Sequence, residues 1–279
     1  MSDFSKTINV QGRKINLVDE GQGKPILFVH GFPLNHTMWS HQIHEFARTH
    51  RVIAPDLPGF GGSEPLRGSE PFPTPLTMVE LADWLAKLLL EIGEAKPVVF
   101  CGLSMGGYIG WQFAARHRSR LARLVACNTR AAADSEVIRR ARKIAAMEVM
   151  KSGTGPVAEA MIPKLFGNVR SGMVGLDADK KTAIGQTEAA IRETNPETVA
   201  AGHLGMGERP DMRQSLLTLD VPTLFIAGGH DEITPASEME TDASFVTHSK
   251  FICAVDAAHM VPLEAPEDFN GSLREFVGE

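Results

Sequence analysis

Cysteine is scarce in this chain: three residues in 279, too few for a disulfide framework, with no Cys-x-x-Cys pair and no Cys/His cluster to hold a metal. Cys101, Cys127 and Cys253 each lie inside or at the end of an apolar run, where a free thiol behaves as a small buried hydrophobe. Positive charge is also short. Lys and Arg number 28 against 34 Asp and Glu, a net charge of −6, and no stretch is basic, which argues against nucleic acid or an anionic membrane as partner. No apolar run reaches about 18 residues, and the opening segment is polar, without the apolar stretch of a signal peptide. A cytoplasmic protein with no membrane span is therefore expected. The 26 glycines and 17 prolines are scattered as turn punctuation, which excludes collagen-like and low-complexity classes. What remains, at 43% hydrophobic and 22% charged residues, is the balance of a globular chain.

Short apolar runs alternate with longer amphipathic stretches, the pattern of βα units around a parallel sheet. Residues 26–29, 52–54, 98–101, 121–127, 223–227 and 251–255 read as buried strands, too short for helices and rich in β-branched and aromatic side chains. Residues 7–10 and 14–18 flank Gln11-Gly12 and predict an antiparallel edge hairpin. The stretch 77–92 places Val79, Leu81, Leu85, Leu88, Leu89 and Ile92 at helical spacing, with Gly93 as a stop. Ala265-Pro266-Glu267 opens a closing helix. Between about 130 and 211 the alternation stops. Helices are expected after Asp134, after Pro156, around 179–192, and from Asn195-Pro196, where Asn caps and Pro takes the first helical position. This predicts a core interrupted once: residues 1–130, a helical lid at 131–210, then 211–279.

Gly102-Leu103-Ser104-Met105-Gly106 is a G-x-S-x-G segment placed after a buried strand and before a helical stretch. A serine on such a sharp turn needs small neighbours, and the turn lifts its hydroxyl to a helix N-terminus where backbone N–H groups meet developing negative charge. Serine is a weak nucleophile at neutral pH and needs a base. Of ten histidines, His41, His44, His50, His117 and His248 sit in polar stretches and read as solvated or helix-surface residues. His259 lies just past the last strand, at the carboxyl edge of the sheet where catalysis in such folds is placed. Asp231 follows the strand 223–227 through Gly228-Gly229-His230, at the same edge, and is preferred to Glu232 and Asp256 as the group orienting the imidazole. The order Ser104, Asp231, His259 fits this architecture. Oxyanion donors are expected at the N–H of Met105 and of Phe32, in the loop His30-Gly31-Phe32-Pro33, which His30 braces.

His30-Gly31-Phe32-Pro33, Asp56 to Ser63, Gly102 to Gly107, Gly229-His230-Asp231 and Ala258-His259 together resemble the α/β-hydrolase superfamily over nearly the whole chain. The segment from Gly31 to Trp39 is similar to the branch of 3-oxoadipate enol-lactonases and related carboxylesterases. The resemblance implies an α/β-hydrolase fold, a mostly parallel central sheet flanked by helices with an inserted helical lid, and a purely structural turn at 56–63. Serine at 104 argues against haloalkane dehalogenase or epoxide hydrolase chemistry, which in this fold uses aspartate there. The expected activity is hydrolysis of a small or medium carboxylic ester or lactone through an acyl-enzyme, with no cofactor and no metal. A perhydrolase, a C–C bond hydrolase and a small-molecule receptor on the same fold are the alternatives. Met147, Met150, Met161, Met173, Met206 and Met212 fall in or beside the lid, and helix packing accounts for them as readily as a pocket does. Among substrate contacts the sequence offers Phe32, Met147, Met150, Met161 and Arg130, the last as partner of a substrate carboxylate or of a protein ion pair.

Overall fold

A computed structural model describes residues 5–67, 72–167 and 178–278; Met173, Gly172 and Gly175 lie outside these ranges. The chain opens with a hairpin of β1 (Ser5–Val10) and β2 (Arg13–Glu20), each strand longer than its apolar pattern indicates. Gln11 and Gly12, at φ 53° and 82°, supply the left-handed pair that a two-residue hairpin turn requires. There follow β3 (Pro25–Val29), α1 (Ser40–Phe46), β4 (Arg51–Pro55), α2 (Met78–Glu91), β5 (Val98–Leu103), α3 (Met105–Arg116) and β6 (Leu121–Cys127). Four helices come next without an intervening strand among the described residues: α4 (Glu136–Ser152), α5 (Gly155–Leu165), α6 (Ala178–Glu193) and α7 (Pro196–Gly207). The short α8 (Arg213–Leu216) leads into β7 (Thr223–Gly228), α9 (Ala236–Ser244), β8 (Ser249–Ala254), α10 (Val261–Glu264) and α11 (Pro266–Val277).

The eight strands form one sheet in the order β1-β2-β4-β3-β5-β6-β7-β8, antiparallel at β1/β2 and β2/β4 and parallel from β4 to β8. Side chains alternate across it. Along β5, Val98 and Phe100 join one apolar layer, while Val99, Cys101 and Leu103 join the other; β3 divides Leu27 and Val29 from Ile26 and Phe28 in the same way. Burial on both faces is why these strands appear in the sequence as unbroken apolar runs. It also pushes the Cys101 and Cys127 thiols well above their ordinary pKa, so both are packing groups and not nucleophiles.

The edge strand β8 departs from expectation. Its side chains are exposed or half-buried up to Cys253, and Val255, expected in the strand, lies beyond it and is 67% exposed. Cys253 is accordingly half-buried and not a core residue. Helix starts follow local chemistry. Thr77 accepts from the Glu80 N–H at the head of α2, Ser135 from Ile138 N at α4, and Asn195 from Glu197 N at α7, where Pro196 takes the first turn. On α2, Leu81, Leu85, Leu88 and Leu89 are fully buried, at about 1.5–3 kcal/mol each, so packing and not intrinsic propensity holds the helix. Among the described residues, no helix is long and apolar enough to cross a membrane.

Candidate active site

The last residue of β5 is Leu103 and the first of α3 is Met105, so Ser104 alone makes the turn between them. It does so at φ 55° and ψ −112°, a left-handed backbone that a residue with a Cβ adopts only under constraint. The constraint is visible. The Ser104 N–H donates to Cys127 O at 2.9 Å, and its carbonyl accepts from Gly107 N, Tyr108 N and Thr129 Oγ1 at 2.9, 3.1 and 2.8 Å. A Cβ on Gly102 would stand 2.3 Å from Gly106 O, and one on Gly106 would stand 2.2 Å from Val29 O. Both positions of the motif therefore exclude any side chain, because β5, α3 and the end of β3 converge there.

Asp231 follows β7 and His259 follows β8, and the two meet: His259 Nδ1 lies 2.8 Å from Asp231 Oδ2, with both side chains buried. Asp231 Oδ1 accepts from the N–H groups of Ile233 and Thr234 at 2.8 and 3.0 Å. Burial alone would raise this carboxyl, but His259, the Asn128 amide and the Thr234 N–H outweigh it and hold it below the usual range. Asp231 is thus a carboxylate, and an acceptor facing Nδ1 sets the imidazole tautomer with its proton on that nitrogen. Glu232 and Asp256, the sequence rivals, are exposed.

The loop after β3 lies against the serine. A Cβ on Gly31 would come 3.5 Å from Ser104 Cβ, so Phe32 follows directly at the turn. Among the described residues, the backbone N–H groups of Phe32 and Met105 donate to no protein acceptor. His30 braces this loop: Nδ1 donates to Gly31 O at 2.8 Å and Nε2 accepts from Leu57 N at 2.9 Å. Complete burial holds the ring neutral, with a pKa of about 4, despite the nearby Asp56 carboxylate.

Protonation there costs stability. The folded pKa of His30 lies below the ordinary 6.5, so the unfolded chain binds the proton first, and stability is lost as pH falls from about 6.5 towards 4. His203, also held at about 4 by burial, acts in the same direction. Each contributes a loss of about 2 kcal/mol by pH 5. Urea unfolding midpoints are expected to fall between pH 7.5 and 5, less steeply in His30→Gln; a flat profile contradicts this assignment.

The chain's sequence pattern over residues 24–164 matches that of the alpha/beta hydrolase fold family. The chain belongs to the α/β-hydrolase family. It is 39% identical to a thermophilic esterase from Thermogutta terrifontis, solved with malate bound, covering 98% of this chain and 97% of that one with a TM-score of 0.88. It is 27% identical to 3-oxoadipate enol-lactonase 2 of Acinetobacter baylyi, over 97% of this chain and 95% of that protein. The enol-lactonase from Burkholderia xenovorans LB400, at 24% identity, shares the fold at a TM-score of 0.85, over 98% of this chain and all of that one.

Within this hydrolase the other sequence-derived site residues are not gathered in one place. Met161 on α5 is half-buried and packs against both apolar layers. Met147 and Met150, on α4, are 54% and 38% exposed. The Arg130 guanidinium bonds to the Ile233 carbonyl and lies 3.4 Å from Glu238, so the protein ion pair is the role its position builds. His50 is buried, with its ring against Phe46 and Nδ1 3.0 Å from Thr49 Oγ1, in place of the solvated histidine expected from its polar surroundings.

Three residues of the neighbourhood escaped sequence reasoning. Asn128, at φ 44° beyond β6, donates Nδ2 to Asp231 Oδ2 at 2.8 Å and to Ala258 O at 3.2 Å, tying the acid to the histidine loop. Glu264 Oε1 accepts from the N–H groups on either side of His259, Ala258 at 2.9 Å and Met260 at 3.2 Å; its Oε2 accepts from Gly167 N, just past α5, at 3.4 Å. Leu165 O accepts from His259 N at 3.1 Å, so the end of α5 and Glu264 together hold the histidine backbone. Burial raises the Glu264 carboxyl above its ordinary value despite these donors. The third is His203 on α7, whose ring meets the Phe32 ring edge-on at 4.7 Å. Asn128 follows a strand at the sheet's carboxyl edge and Glu264 lies five residues past His259, both readable signals; His203 stands in an apolar helical stretch and offered none.

Proposed function

We propose that this α/β-hydrolase is a serine hydrolase of small or medium carboxylic esters or lactones, working through an acyl-enzyme on Ser104. The observation that carries this reading is the buried His259–Asp231 pair, at the same sheet edge as a serine held in a strained turn. The names of its esterase and enol-lactonase relatives support the same substrate class.

In the proposed reaction, His259 Nε2 accepts the Ser104 proton as Oγ attacks the carbonyl carbon. The carbonyl π electrons move to oxygen, and the oxyanion is held by the N–H groups of Phe32 and Met105; one such donor is worth about 10²–10³ in rate. Collapse of the tetrahedral adduct breaks the C–O bond, and the His259 imidazolium protonates the departing alcohol. Water then attacks the acyl carbon with His259 as base. A second collapse returns the proton to Ser104 and releases the acid. Asp231 stays ionised throughout and stabilises the imidazolium.

We read 131–210 as a lid over this site. Helices α4 to α7 follow one another between β6 and β7, and the end of α5 contacts the His259 loop. The test of the reading is a p-nitrophenyl ester series of increasing acyl length. Multiple turnovers, with acid and alcohol released one to one and an optimum at short or medium chains, are expected. A single turnover at every length contradicts an enzyme and favours a receptor.

A further inference from the structure

Phe32, which carries an oxyanion donor in the proposed reaction, stands on a loop and not on a strand or helix. Its backbone lies in a turn closed by Leu34 N, which donates to Gly31 O at 3.0 Å. A loop holds a donor less firmly than a regular element does, so the Phe32 N–H needs support from outside the turn. On the inner side Gly31 packs against the nucleophile turn, where a Cβ would stand 2.8 Å from Leu103 Cδ2 and 3.5 Å from Ser104 Cβ. On the outer side the buried Phe32 ring is enclosed by three groups. The Phe60 ring meets it edge-on at 6.2 Å and the His203 ring edge-on at 4.7 Å. The third is the backbone of α7 at Gly202, where a Cβ would stand 2.6 Å from Phe32 Cε2 and 3.0 Å from Cδ2. His203 Nδ1 is buried without a hydrogen-bond partner among the described residues.

The helix has little freedom to yield. Just before its first turn, Thr194 Oγ1 donates to Pro33 O at 3.3 Å, and Leu76 N donates to Ala201 O at 3.0 Å. Gly205, further along the same face, lies so close to the core that a Cβ there would stand 1.8 Å from Leu76 O. Helix α7 is thus seated on the segment leading into α2 on both sides of Gly202, by Ala201 before it and Gly205 after it. Glycine inside a helix is destabilising relative to alanine, so each such position needs a packing reason. For Gly205 the reason is the Leu76 carbonyl. For Gly202 it is the Phe32 ring, with Phe60 Cζ next at 3.6 Å.

We propose that Gly202 is a positioning residue: by letting the α7 backbone lie flush on the Phe32 ring, it fixes the Phe32 N–H where the oxyanion develops, and α7 becomes the outer wall of the oxyanion loop. This role rests on the serine-hydrolase reading, in which Phe32 N is one of the two donors. A donor of this kind bonds the oxyanion far more strongly than the ground-state carbonyl. Its displacement therefore lowers kcat and leaves KM almost unmoved, whereas a helix that merely covers the substrate would show its loss in KM.

The test is Gly202→Ala with p-nitrophenyl butyrate as substrate. The added methyl displaces the ring and with it the loop, so kcat is expected to fall about 10- to 100-fold with KM within about threefold of the wild type. Gly185→Ala on α6, where a Cβ would meet nothing within 4 Å, controls for an added methyl in a neighbouring helix and is expected to keep the wild-type kcat. Phe32→Leu keeps the backbone donor and clears the space above Gly202. That change alone lowers kcat, because the loop loses its seat, but in its background Gly202→Ala is expected to cost less than about threefold. Thermal melts establish that each variant is folded. Should Gly202→Ala not fold, Phe32→Leu carries the test, with kcat about tenfold lower and KM within about threefold. The proposal is overturned if kcat of the folded Gly202→Ala, or of Phe32→Leu where that carries the test, stays within about threefold of the wild type. An equal cost of Gly202→Ala in both Phe32 backgrounds, or a loss that lies wholly in KM, overturns it too. Any of these results beside an inactive Ser104→Ala leaves the serine-hydrolase reading standing; undiminished turnover in Ser104→Ala overturns both.

Discussion

Ser104→Ala is expected to lose about 10⁴-fold or more in ester turnover while its thermal midpoint stays within about 2 °C of the wild type. The two outcomes follow from different parts of the same residue. The backbone at φ 55° is held by the bonds to Cys127, Gly107, Tyr108 and Thr129, all of which an alanine keeps. Only the hydroxyl goes, and no hydrogen bond in the fold depends on it as donor or acceptor among the described contacts. Steady-state rates on p-nitrophenyl butyrate beside a thermal melt separate the two effects. A variant that keeps its activity removes the nucleophile from the account, whereas one that melts far lower assigns Ser104 to the fold instead.

Asp231→Asn is the second large effect, an expected fall of about 10³–10⁴ in kcat. The carboxylate has two oxygens in use as acceptors: Oδ1 takes the Ile233 and Thr234 N–H groups, and Oδ2 takes His259 Nδ1 and the Asn128 amide. An asparagine offers one oxygen and one NH₂. If the oxygen faces the two backbone N–H groups, the NH₂ faces His259 and forces the tautomer with its proton on Nε2. That nitrogen then cannot accept the serine proton. The opposite orientation keeps the tautomer but turns the NH₂ onto two buried N–H donors, at a cost in stability of about 1–3 kcal/mol. Activity and melting together distinguish the two orientations. A loss of less than tenfold with unchanged melting contradicts the role assigned to Asp231.

The fold was readable where burial is two-sided. β3, β5, β6 and β7 lie between two apolar layers, and their unbroken runs carried the signal. The edge strand β8 was misplaced by two residues at its start because an exposed edge needs no apolar side chains there: it begins Ser249-Lys250, and the apolar pattern ran on to an exposed Val255. The sharp turn at Ser104 was equally legible, since Gly102 and Gly106 reflect local steric demands. Residues that act across the fold left less trace. Asn128 meets Asp231 from 103 positions away; its place just past β6 marks the sheet edge but not this partner. His50 looked solvated by its neighbours in sequence and is enclosed by its neighbours in space. Composition counted the methionines beside α4 to α7 but not their direction, and on α4 Met147 and Met150 point outward. Helix α7 hid His203 because an apolar helix with one histidine looks like ordinary packing until the unpaired nitrogen is seen.

The most direct measurement is the site and stoichiometry of phosphonylation. A fluorophosphonate reacts only with a serine whose proton a neighbouring base removes, so it reports the nucleophile and its activation together. Intact-mass analysis is expected to show one adduct per chain, peptide mapping to place it on the segment Gly102 to Gly107 at Ser104, and Asp231→Asn to slow the labelling in step with its loss of turnover. An adduct on another serine, or active enzyme that takes up no label at all, contradicts a mechanism through Ser104.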